Sequence, residues 1–155
     1  TELADMAEKY YGRQRSYGSL TADIEDFVKT SEERMLAIMR QSIQDVADNA
    51  QQPVAKGGRM RVDTGFLRAS GTGSLSGMPT GPGRGESKQP NSYSYNETSV
   101  TGTLAKMKFG DTFYFGWTAN YARYRELYDG FLEGALQHWA RIVAINTDTL
   151  RQRIK

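Results

Sequence analysis

From Ile24 to Ala50, apolar residues recur at three- and four-residue steps. Ile24, Phe27, Val28, Met35, Ile38, Met39, Ile43, Val46 and Ala50 fall on one helical face. The spacing predicts a helix over 20–51, with Thr21 as N-cap, Asp23 and Glu25 complementing its dipole, and Pro53 as the stop. Thr30 followed by Glu33 repeats a capping-box spacing and marks a place for a break. A second long helix is predicted over 131–152, opened by Gly130 and carrying Phe131, Ala135, Trp139, Ile142 and Val143 along one face. Arg151, Arg153 and Lys155 sit at its C-terminal end, where positive charge is favoured. Val100, Leu104 and Met107 stand at i, i+4 and i+7 and predict a short helix within 98–109. After the Gly110-Asp111 turn, Thr112 to Thr118 is dense in aromatic and β-branched residues and reads as a strand. Ala69 to Ser76 reads as a second strand thinned by glycines. Asp63 or Thr64 caps a short turn that carries Phe66 and Leu67 inward.

The rest is punctuation. Residues 1–18 lack an apolar face and read as an arm with Tyr10, Tyr11 and Tyr17, including a short helix at 2–10. Residues 53–92 hold all four prolines and nine of the sixteen glycines, and 77–92 has nothing with which to build a core. The expectation is one domain of 155 residues: arm 1–18, long helix and capped turn 19–70, flexible loop 71–96, then short helix, strand and C-terminal helix over 97–155. The fold class is α+β, with two long helices packed on a small antiparallel sheet.

Composition narrows the chemistry. Apolar residues make up 38%, enough for a thin core only. With no cysteine and one histidine, a disulfide scaffold, a thiolate zinc site and a His-rich metal site are excluded within one chain. His138 has Gly134, Ala135, Arg141 and Ile142 as helical neighbours, none able to act as nucleophile or orienting acid, so it reads as a rim residue. No phosphate loop or dinucleotide fingerprint is present, and no paired carboxylates stand at a telling spacing. The expectation is a non-enzyme without metal or cofactor. No apolar run reaches the length of a membrane span, and the N-terminus lacks a signal-type stretch, which suits a protein made in the cytoplasm.

Charge is uneven. Residues 1–52 carry 6 Lys/Arg against 10 Asp/Glu, while 53–92 carry 6 against 2. Such asymmetry suits head-to-tail contact between copies. Arg59, Arg61, Arg68, Arg84 and Lys88, with Tyr93 and Tyr95, also form the best case for nucleic acid, since single-strand binders interleave basic and aromatic residues. Tyr121, Ala122, Tyr124 and Glu126 follow the strand directly and read as core and interface.

Four features stand in one order. They are the long N-terminal helix; Asp63-Thr64-Gly65-Phe66-Leu67-Arg68-Ala69-Ser70; Gly110-Asp111 with Gly116-Trp117-Thr118-Ala119-Asn120-Tyr121-Ala122; and Phe131-Leu132 opening a helix with Trp139 and Ile142-Val143. This ordered set, over about 20–150, resembles the tail-completion, or neck, proteins of long-tailed bacteriophages. Tyr121-Ala122 followed by Glu126, Tyr128 and Gly130 matches the family's Tyr-Ala, Glu, aromatic, Gly succession. The arm at 1–18 and the loop at 77–92 lie outside the shared pattern.

The resemblance implies a structural virion protein that forms a ring, six-membered in expectation, at the head–tail junction. Its partners would be its own copies, a head-side connector or stopper, a tail terminator or tail tube, and DNA passing through without sequence-specific binding. Asp63, Thr64, Gly65, Leu67, Gly110, Trp117, Tyr121 and Ala122 would be its structural motif. Contacts between subunits or rings would fall to Tyr10, Tyr11, Tyr17, Arg84, Lys88, Tyr93, Tyr95, Tyr121, Tyr124 and Glu126, and the DNA channel to Arg59, Arg61 and Arg68. The alternative is a nucleic-acid-binding module that uses the basic Gly/Pro-rich loop and its tyrosines.

Overall fold

The computed structural model describes residues 17–81 and 83–154, with side chains from Thr21 onward. Tyr10, Tyr11 and the Tyr17 side chain, expected at contacts, and the predicted helix at 2–10 lie outside the described residues. The described part is mixed helix and strand: six α-helices and a two-stranded antiparallel sheet. In chain order these are α1 (Tyr17–Ala50), α2 (Phe66–Ala69), β1 (Gly71–Ser74), α3 (Glu97–Lys106), β2 (Tyr114–Trp117), α4 (Ala122–Asp129), α5 (Phe131–Leu136) and α6 (Trp139–Arg153). Contacts divide the chain into two units at Met35/Leu36, inside α1.

In the first unit, α1 starts at Tyr17, so Tyr17 and Gly18 are helical rather than arm and Thr21 is not its cap. It passes the Thr30–Glu33 spacing without a break. Ser31 Oγ donates to the Phe27 carbonyl four residues back (2.9 Å), so its hydroxyl is satisfied within the helix. Ile24, Phe27, Val28 and Met35 are exposed.

The second unit, from Leu36 onward, contains two buried clusters. Ala47 of α1 meets Val100, Leu104 and Met107, with Ile43, Tyr95, Phe113 and Phe115 packed around them. Val100 and Leu104 are thus the face of α3 that the core takes, and Met107, extended just past the end of the helix, joins them. Asn96 caps that helix by accepting from the Thr98 N–H (3.2 Å). At its other end, Arg40 donates to the carbonyls of Ala105 and Met107, which the helix cannot satisfy itself. The second cluster is Met60, Leu67, Ala119 and Phe131, flanked by Phe66, Trp117 and Tyr121. Each fully buried side chain of this size contributes about 1.5–3 kcal/mol.

The glycines of β1 have a steric reason. Gly71 pairs with Trp117 and Gly73 with Phe115. A Cβ on Gly71 would collide with the Gln51 amide, and one on Gly73 with the Phe113 ring. The strand is weakened so that aromatic rings fit against it. Residues 71–74, expected within the flexible loop, are therefore strand.

The C-terminal third departs most from expectation. The helix predicted over 131–152 is two helices, α5 and α6, separated at Gln137–His138. His138 is exposed at the junction. An unpredicted helix, α4, precedes them. Its apolar residues Tyr124, Leu127 and Tyr128 face outward, so no core-facing stripe announces it. α6 joins α1 through Asn146, whose Nδ2 donates to Ser42 Oγ (3.1 Å) and Asp45 Oδ2 (2.9 Å).

Candidate functional site

Three stretches far apart in sequence build one corner of the second unit. The first is the Asp63–Ser70 segment. Gly65 holds φ 85°, a left-handed value that costs other residues more, and its backbone packs against the Tyr93 carbonyl. The N-cap of α2 is Gly65 rather than Asp63 or Thr64, and the Thr64 hydroxyl one residue earlier accepts from the Phe66 N–H (3.2 Å). Leu67 is then buried, with Phe66 half-buried beside it.

The second stretch is β2 with the residues after it. Trp117 stacks edge-on against Phe131 (4.8 Å, 74°) and Phe115 (5.0 Å, 84°). Its indole N–H donates to Gln51 Oε1 (2.8 Å). Gln51 is wholly buried and ties the end of α1 to Arg68 of α2 and Trp117 of β2. Its Nε2 donates to the Arg68 carbonyl (2.9 Å), and its own carbonyl accepts from Arg68 Nε (2.8 Å). Tyr121 packs on Phe66 (6.3 Å between centroids), with its hydroxyl against the Leu67 backbone and Thr64 side chain. Burial pushes the Tyr121 hydroxyl above its ordinary value, against the pull of those hydrogen bonds.

The third stretch is the α4–α5 junction. Gly130 turns the chain at φ 62°. Both carboxylate oxygens of Glu126 accept from the first turn of α5, from Leu132 N–H (2.9 Å) and Glu133 N–H (3.0 Å). Glu126, expected at a contact between copies, thus also holds the first turn of a helix in its own chain.

Beside this corner lies a groove of about 780 Å³. Arg61, Arg68, Arg84 and Arg125 line it, with Asp63 as the one acid. Two of these arginines are committed. Arg68 is half-buried over the Tyr95 ring (5.0 Å) and within 3.7 Å of Glu97. Arg125 grips Asp129 with two hydrogen bonds (3.0 and 2.6 Å). Arg61 is largely exposed, 3.8 Å from the same Asp129. Arg84 is exposed and makes no ion pair among the described residues.

The expected site residues therefore separate. Arg61, Arg68 and Arg84 come together in the groove, and Tyr121 joins them. Arg59 lies elsewhere, against Gly130 and Gly134 of the α4–α5 corner. Tyr93 turns inward: it packs on Phe66 (5.1 Å), and its hydroxyl accepts from Glu86 N–H (2.9 Å) and Ser87 N–H (3.0 Å). Tyr95 is held under Arg68, and burial pushes its hydroxyl above its ordinary value, against the pull of the Gln51 side chain. Tyr124 and Lys88 are exposed. Arg125 went unnoticed in the sequence, although its i, i+4 relation to Asp129 was the available signal. Gln51 gave no signal beyond ending an amphipathic repeat.

The Gly/Pro-rich segment is pinned at several points. Gly83 N–H donates to the Thr118 carbonyl, and the Gly83 carbonyl accepts from Asn120 N–H (2.8 Å). Asn91 and Tyr93 N–H groups donate to the carbonyls of Asp63 and Thr64 (2.9 Å each). Among the described residues no helix is long and apolar enough to cross a membrane, and no cluster of three His, Cys, Asp or Glu is arranged for a metal. Comparison with protein-family models, with curated proteins and with solved structures returns no match for this chain.

Proposed function

We propose that the chain is a structural, non-enzymatic protein of the phage neck. It would form a ring that joins the head connector to the tail terminator or tail tube around the DNA channel, within the virion. The observation that carries this reading is the meeting of the motif residues. Leu67 of the Asp-Thr-Gly-Phe-Leu segment, Ala119 before the Tyr-Ala pair and Phe131 at the start of α5 share one cluster, and Tyr121 abuts Thr64 and Leu67. Residues whose order suggested the family also have a joint structural task, which supports this reading. In this reading the two long helices, α1 and α6, and the small sheet form the body of a ring subunit. The channel takes DNA without sequence-specific contact.

The arginine-lined groove gives the nucleic-acid reading its one supporting observation. Against it, Tyr93 and Tyr95 are engaged inside the fold, so the bases would lack their stacking platform. The test is cosedimentation of the purified protein with tail-free heads and with free tails, followed by electron microscopy of the junction. Density at the joint supports the neck reading. No binding to either, together with oligonucleotide binding that weakens steeply with salt, replaces it with the nucleic-acid module.

A further inference from the structure

Two surfaces are exposed among the described residues, and they are opposite in charge. The first is on α1 before Leu36. Ile24, Phe27, Val28 and Met35 form one stripe, exposed at 56%, 72%, 47% and 51%. Single exposed apolar residues need no explanation, but a stripe of four at helical spacing does. Glu25 and Glu32 border it on one side, seven residues or roughly 10 Å apart along the axis. Residues 17–35 hold five acidic residues against Lys29 and Arg34.

The second surface is the groove. Its exposed cations are Arg61 and Arg84, and its exposed apolar residues are Val54 and Val62. An acidic, amphipathic helix matches both features at once. A phosphate chain would use the arginines and leave the valines and the α1 stripe bare.

We infer that α1 residues 24–35 of one copy dock on the arginine-lined groove of a second copy. The apolar stripe covers Val54 and Val62, while Glu25 and Glu32 face Arg61 and Arg84. The inference rests on the ring reading, for which it names the contact. Donor and acceptor surfaces differ, so every copy has one of each, and repeated docking closes a ring or extends a filament. Opposite charges steer the encounter and fix its direction.

The chain has no cysteine, so introduced thiols report without background. Phe27→Cys and Val62→Cys proteins are purified separately, mixed and oxidised with copper–phenanthroline. The expected product is a dithiothreitol-reversible heterodimer. Adding Arg61→Glu and Arg84→Glu to the Val62→Cys chain should lower its yield about tenfold. Adding Glu25→Arg and Glu32→Arg to the Phe27→Cys chain should then restore it. Phe27→Cys mixed with Ala144→Cys, exposed on α6, is the collision control. Circular dichroism of each variant establishes that it is folded. A heterodimer absent, no stronger than the control, or indifferent to charge reversal overturns the inference. Head or tail binding without the cross-link discards this interface and keeps the neck reading; the cross-link without such binding does the reverse.

Discussion

The two halves of α1 carry the same apolar repeat and meet different fates. Before Leu36, Ile24, Phe27, Val28 and Met35 stand exposed; after it, Met39 is still exposed, but Ala47 and Ala50 are buried and Leu36 and Ile43 pack on the core. Periodicity therefore encodes the helix and its apolar face but not what covers that face. The corner around Gln51 and Trp117 is the opposite extreme. There, polar and aromatic groups are matched inside the chain, so damage should appear as lost folding stability. Damage to the bare half should appear as lost association.

Predictions follow that divide in descending order. Phe131→Ala removes the ring against Trp117 and leaves a cavity, so urea unfolding should show a loss of about 4 kcal/mol. Gln51→Ala orphans the Trp117 indole N–H and the Arg68 carbonyl, at a cost of about 3 kcal/mol by the same measurement. Glu126→Ala uncaps α5 and should cost about 1 kcal/mol, with Glu126→Gln recovering part of it.

The Asp48 carboxyl is a smaller case and has a pH signature. Burial pushes it above its ordinary 3.8, with Asp45 and Glu97 adding to the push and the Gln44 hydrogen bond opposing it. The folded state thus binds this proton more tightly than the unfolded state. Its stabilising contribution is complete below 3.8 and lost as pH rises through the folded value. Asp48→Asn should melt slightly higher than the parent at pH 7, and the gap should close as the pH approaches 3.8. Phe27→Gln should be the mildest, moving the unfolding free energy by less than about 0.5 kcal/mol. A large loss there would mean that the bare half is covered within its own chain, and the comparison would fail.

Legibility followed the same line. The α3 face was readable because Val100 and Leu104 point into the core, although Met107, the third of the spaced set, is extended beyond the helix end. The turn at Thr64 was readable because its hydrogen bond to Phe66 N–H is local, although the N-cap falls one residue later, at Gly65. α4 was not, because Tyr124, Leu127 and Tyr128 face out and mimic the dense aromatic run of a packed segment. The interruption at Gln137–His138 was hidden too, since the apolar stripe continues across it without a proline. The groove was half legible. Arg61, Arg68 and Arg84 were noted as basic residues, but their convergence with Arg125 depends on tertiary packing. Gln51 shows the limit: a glutamine at a helix end looks solvated until a tryptophan from a distant strand reaches it.

The Tyr93 clasp sets an order of cutting. Its phenol oxygen holds the backbone at Glu86 and Ser87, while Gly83 is held between Thr118 and Asn120. Arg84 lies in the shorter gap, between Gly83 and Glu86, and Lys88 in the longer one, between Ser87 and Asn91, whose N–H is held by the Asp63 carbonyl. A protease requires local opening of the backbone before it can bind, and anchored stretches open less often. Trypsin should therefore nick this segment after Lys88 before it nicks after Arg84. Removing the Tyr93 hydroxyl alone should narrow the interval between the two cuts.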